Sequence, residues 1–95
     1  MNDVTQTVLL VAGGLDVHKS FVIVVIKSTS EDGTVKTVKK RFSTFRSDLE
    51  DLRDWLLQND CHHVCMESTG KYWIPVYNVL EPAMKEVRVC NPKWL

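Results

Sequence analysis

Asp16 and Glu67 are the residues of this chain whose types and positions best suit chemistry. Each stands where an apolar run stops: Leu9-Leu10-Val11-Ala12-Gly13-Gly14-Leu15 precedes Asp16, and His63-Val64-Cys65-Met66 precedes Glu67. A strand that buries its apolar residues and ends on a carboxylate carries that charge to the rim of a sheet. Two such strands side by side bring two carboxylates to one point, and hard oxygen ligands of that kind suit Mg²⁺ or Mn²⁺. The residues just past each carboxylate, Val17-His18-Lys19 and Ser68-Thr69-Gly70-Lys71, are small, polar or basic. Such surroundings accommodate a phosphate near a metal. Lys19, Thr69 and Lys71 are the candidate phosphate contacts, the last two because free N–H groups at a following helix start favour an anion.

The elements that must position these groups follow from hydrophobic period and turn chemistry. Residues 8–17 read as a first strand, apolar enough to be central and covered on both faces. Phe21 to Lys27 is β-branched and reads as a second strand, joined to the first by a link short enough for a hairpin. Asp32-Gly33 marks a turn, and Val35 to Ser43 a third strand whose lysines protect a sheet edge. Ser47-Asp48-Leu49-Glu50 has the form of a capping box, ahead of Leu49, Leu52, Trp55 and Leu56 at helical spacing. Gln58-Asn59-Asp60 ends that helix. His63 to Glu67 is a fourth strand, Tyr72 to about Lys85 a second helix kinked or ended by Pro82, and Val87 to Cys90 a fifth strand. The order β-β-β-α-β-α-β, with helical crossovers, implies a mixed α/β sheet with strands ordered 3-2-1-4-5 and the first three antiparallel. Asp16 and Glu67 then share one end of adjacent central strands, where open sheets bind ligands.

Bulk properties narrow the classes. The 95 residues allow one small domain. Hydrophobic content of 44% and charged content of 25% exclude a disordered chain. Twelve basic residues balance twelve acidic ones, so no global field draws the chain to nucleic acid or membrane. No apolar run approaches the ~18 residues that span a bilayer, and the first residues lack the basic region of a signal peptide. Three cysteines without framework spacing read as reduced thiols of a cytoplasmic protein, with Cys65 and Cys90 in the core. Cys61-His62-His63-x-Cys65 is one ligand cluster, whereas structural zinc sites pair two. Ser68 has no evident histidine and aspartate partners for a triad. Tyr72 and Trp73 suit packing better than base stacking.

Three segments carry a family resemblance. They are Gly14-Leu15-Asp16-Val17-His18-Lys19, the long stretch Met66-Glu67-Ser68-Thr69-Gly70-Lys71-Tyr72-Trp73-Ile74-Pro75-Val76-Tyr77-Asn78-Val79-Leu80-Glu81, and Val87-Arg88-Val89-Cys90-Asn91-Pro92. Together they resemble the amino-terminal part of the DEDD transposases, insertion-sequence recombinases with a RuvC-like, ribonuclease-H-type domain. The resemblance implies DNA transposition by metal-dependent phosphodiester cleavage and strand transfer, with Asp16 and Glu67 as the first two family carboxylates. It implies DNA and a structured guide RNA as partners of the full-length protein. It also implies two further aspartates just past the match to Asn91-Pro92, and a domain with a nucleophilic serine, none of which these residues contain. Residues 1–95 are therefore expected to be an incomplete single domain, a truncated piece with weak metal binding and no useful cleavage. Two other classes remain open: a self-associating, non-enzymatic module that dimerises through apolar surface left by missing helices, and half of an actin-like ATPase fold. The second wants a glycine- and threonine-rich phosphate loop after Asp16, and Val17-His18-Lys19-Ser20 is not one.

Overall fold

The computed structural model describes residues 8–90. Eight elements follow one another: β1 (Val8–Val17), β2 (Phe21–Ser30), β3 (Val35–Ser43), α1 (Arg46–Gln58), β4 (His63–Ser68), α2 (Trp73–Leu80), a 3-10 turn (Glu81–Ala83) and β5 (Glu86–Val89). They build a five-stranded sheet ordered β3-β2-β1-β4-β5. β1, β2 and β3 are antiparallel neighbours, while β4 runs parallel to both β1 and β5. This is the mixed α/β sheet, in strand order and strand directions, expected from the sequence.

The parity of each strand decides what it buries. On β2, Val22, Val24 and Ile26 are buried and Lys27 is exposed. On β1, Leu15 and Val17 are buried while Gly14 and Asp16 are exposed, and on β4 Val64 and Met66 are buried while His63 and Glu67 are exposed. The buried sets meet Leu49, Leu52 and Leu56 of α1 and Val76, Val79 and Leu80 of α2 in one core. Both helices thus lie on one face. β1 is central but covered on that face alone among the described residues, which corrects the reading of a strand covered twice. Leu10, 58% exposed, stands on the open side.

Gly13 is where that core closes on the backbone. A Cβ at this position would lie 3.0 Å from Cys61 Sγ and 3.1 Å from Val64 Cγ1. Packing this tight leaves no room for a methyl without displacement of the loop after α1.

Local chemistry departs from expectation at both helix starts. α1 begins one residue before Ser47, with Phe45 as its N-cap and no side-chain cap. Glu50 pairs with Arg46 at 3.2 Å rather than reaching back. Ser43 takes over instead, since its hydroxyl accepts the Phe45 N–H at 3.2 Å and donates to the Asp48 carboxylate. α2 is shorter than expected, ending at Leu80 in the 3-10 turn that contains Pro82. β2 runs three residues past Lys27, to Ser30. The Asp32-Gly33 turn is as read, with Gly33 at φ 87° and the Thr34 N–H bonded to the Asp32 carboxylate at 2.9 Å. The Thr34 side chain first, and its N–H second, lower the Asp32 carboxyl from its ordinary pKa by hydrogen bonding to it.

The cysteines overturn another expectation. Cys65 and Cys90 are joined as a disulfide rather than buried as separate thiols, and only Cys61 is free and buried. Val64 and Met66 take the core side of β4, so Cys65 faces the open side. Burial pushes the Cys61 thiol up from its ordinary pKa.

Candidate metal and phosphate site

Asp16 and Glu67 are direct register partners across the parallel β1–β4 pair. Both carboxylates are exposed, and both line one cavity of about 340 Å³ on the open face. Its remaining walls are Gly14, Leu15, Ile23, Val25 and Cys65. A second hollow of about 450 Å³ continues along the same strands past Ala12, Gly13, Gly14, Val25 and Lys27. The carboxylates stand at the carboxyl ends of their strands because each strand's buried residues end one step later, at Val17 and Ser68.

The three candidate phosphate contacts lie at the same rim. Lys19 follows the end of β1 and is exposed, as are Thr69 and Lys71, which follow the end of β4. Gly70, between them, has φ 56°, a backbone that favours glycine and turns the chain into α2. Ser68 donates its hydroxyl to the Thr69 carbonyl at 3.0 Å, and α2 has Tyr72 as an N-cap without a side-chain bond. Neither Ser68 nor Thr69 therefore caps the helix. Trp73 and Tyr77 pack edge to face at 5.8 Å, against the core, while Tyr72 is 42% exposed.

Sequence reasoning missed one partner of Asp16 and one residue in its row two strands away. His18 Nε2 donates to Asp16 Oδ2 at 3.0 Å. Its ring stacks on Phe21, with centroids 4.4 Å apart and planes inclined by 16°. The Arg41 guanidinium carbon lies 4.0 Å from the centroid of the same Phe21 ring. Arg41 also shares the row of Asp16, since β3 pairs Arg41 with Ile23 and β2 pairs Ile23 with Asp16. An arginine over a ring face is attracted by the ring quadrupole. The signal for His18 was legible, because alternation puts residues i and i+2 on one face. Arg41 became visible only with the register.

Two carboxylates are fewer ligands than two ions require. Among the described residues, no group of three or more His, Cys, Asp or Glu side chains could hold a metal ion. The donors present, two carboxylate side chains, are of the oxygen type that hard divalent cations prefer.

A family model described as Transposase, of the DEDD type named for IS110, matches residues 13–94. No curated protein matches the chain. Among solved structures, the Ppx/GppA family member of Aquifex aeolicus is 12% identical with a TM-score of 0.60, over 90% of this chain and 36% of its own. A second structure of the Aquifex aeolicus PPX-GPPA enzyme gives 13% identity and a TM-score of 0.57, over 90% and 37%. RNase H1 of Halobacterium salinarum NRC-1 gives 7% identity and a TM-score of 0.44, over 86% and 84%. The chain thus spans little more than a third of the Aquifex proteins, 36% and 37%. Likeness at such identity shows a shared fold alone.

Proposed function

This chain belongs to the DEDD transposase family of the IS110 type, and from that membership we propose that it is an incomplete part of a metal-dependent DNA transposase domain acting in the cytoplasm. The observation that carries this reading is the β1–β4 register, which sets Asp16 beside Glu67 over one cavity. In the proposal these are the first two catalytic carboxylates, and they would hold Mg²⁺ or Mn²⁺ weakly, largely through water. A divalent ion there supplies Lewis acidity toward a phosphodiester. His18 fixes the orientation of the Asp16 carboxylate by its hydrogen bond and by its stack on Phe21. Lys19, Thr69 and Lys71 would contact DNA phosphates from the same rim, and a guide RNA would be read by other parts of a full-length protein.

Residues 1–95 alone form half of the site and are proposed to cut no DNA at a useful rate. Calorimetric titration with Mn²⁺ is expected to show one weak ion, with Kd near the millimolar range or above, and the Asp16→Ala chain is expected to show none. Tight uptake of two ions, or robust nicking that Asp16→Ala abolishes, contradicts the half-site reading.

The open sheet face favours a second property, self-association. Leu10 lies 58% exposed toward one end of this face, and Ile23 and Val25 are partly exposed toward the other, with the exposed Lys27 between them. Apolar surface left open draws in a partner. We propose a homodimer, which light scattering at high protein concentration should report as twice the chain mass; a clean monomer there rejects it.

A further inference from the structure

We propose that Cys65 and Cys90 form a reversible dithiol–disulfide site that controls whether β5 is pinned to the strand bearing Glu67. The proposal rests on the placement of the sulfurs and not on any reading of the carboxylates.

Three observations carry it. First, Cys65 lies within β4 and Cys90 immediately after β5, with Cα atoms 6.4 Å apart, a separation a disulfide spans. The Cys90 N–H also bonds the Met66 carbonyl at 2.8 Å, so the β4–β5 ladder, in which Cys65 pairs with Arg88, already sets Cys90 diagonally across from Cys65. Second, both cysteines are partly exposed, whereas Cys61 is 0% exposed and its thiol is pushed up by burial. Thiol–disulfide exchange needs access to sulfur and a thiolate to attack it, so the exposed pair can exchange and Cys61 cannot. Third, β5 is a four-residue edge strand, and the bond is a covalent tie beside its few ladder bonds. Cys65 also lines the cavity of Asp16 and Glu67, two residues ahead of Glu67.

The exchange balances without a further cofactor. Two equivalents of a small thiol break the Cys65–Cys90 bond. Each sulfur leaves as a thiol, and the reductant becomes its own disulfide. In the reverse direction a small disulfide such as oxidised glutathione accepts two electrons and two protons from the pair. Half-exposed disulfides in reducing compartments are typically transient. The expected behaviour is a strand that tightens under oxidising conditions and loosens under reducing ones.

The test uses the 95-residue chain equilibrated in glutathione buffers of graded ratio, then treated natively with a maleimide and mapped by mass spectrometry. Oxidised protein should take no label, and reduced protein should take two, on Cys65 and Cys90, with Cys61 labelled only after denaturation. Brief trypsin treatment should cut at the exposed Lys85 and Arg88 roughly tenfold faster in the reduced protein, because cleavage tracks the opened population. The Cys90→Ser chain should be cut at the reduced rate in every buffer. If that variant does not fold, the wild-type comparison with and without reductant, with helix content followed by circular dichroism, carries the same readout. Equal cleavage in both buffers overturns the proposal. So does a failure of the two sulfurs to pair in oxidised glutathione, or their capture as separate mixed disulfides.

Discussion

Leu52→Ala is expected to remove about 3 kcal/mol of folding stability. Leu52 is 0% exposed, at the centre of the α1 stripe with Leu49 and Leu56, and it packs into the only cluster that joins both helices to the sheet among the described residues. Truncation removes the transfer energy of its branched end and leaves a cavity that the neighbouring strand residues cannot collapse into without breaking register. A chain of this size holds roughly 5–14 kcal/mol in total, so the loss is a large share. Urea unfolding followed by tryptophan fluorescence measures it, with Trp55 on the same helix as a local probe. A change under 1 kcal/mol would mean that α1 does not dock on this face.

The second large effect concerns the crosslink. Breaking the Cys65–Cys90 bond is expected to lower stability by about 3 kcal/mol in the chain-entropy picture, given its sequence separation of 25 residues. In a domain this small that corresponds to roughly 10–20 °C in Tm. The loop so closed contains all of α2, whose Val76, Val79 and Leu80 complete the core. Calorimetry of the oxidised chain with and without reductant gives the number, and Cys90→Ser should melt at the lower temperature regardless of reductant. An oxidised wild-type chain that melts with the variant removes the crosslink from the stability of the fold.

Strand order and the pairing of Asp16 with Glu67 were legible because β1 and β4 each end an unambiguous apolar run on an acid, and the intervening α1 forces a parallel crossover. The α1 stripe was legible for the same reason, through Leu49, Leu52 and Leu56. The uncovered face was not. Gly13 and Gly14 carry no side chain, so the polar alternation that marks an open face disappears from β1 and the run reads as buried throughout. Cys65 was misplaced because β4 is short and either parity of His63-Val64-Cys65-Met66 is plausible until the core is known. Its bond to Cys90 depends on the β4–β5 register, which no local pattern encodes. The α1 start was misread because Ser43, outside the helix, supplies the hydroxyl that Ser47 was expected to give.

Gly13 and Gly14 look alike in the chain yet face opposite surroundings. The first abuts Cys61 and Val64 with no spare volume, and the second meets nothing within 4 Å while standing directly opposite Cys65 and two residues from Asp16. Bulk added at 13 strikes the interior, whereas bulk added at 14 projects over the bare main chain that floors the acidic crevice. A one-residue step along β1 therefore separates what keeps the molecule folded from what governs how closely a visitor can approach its carboxylates.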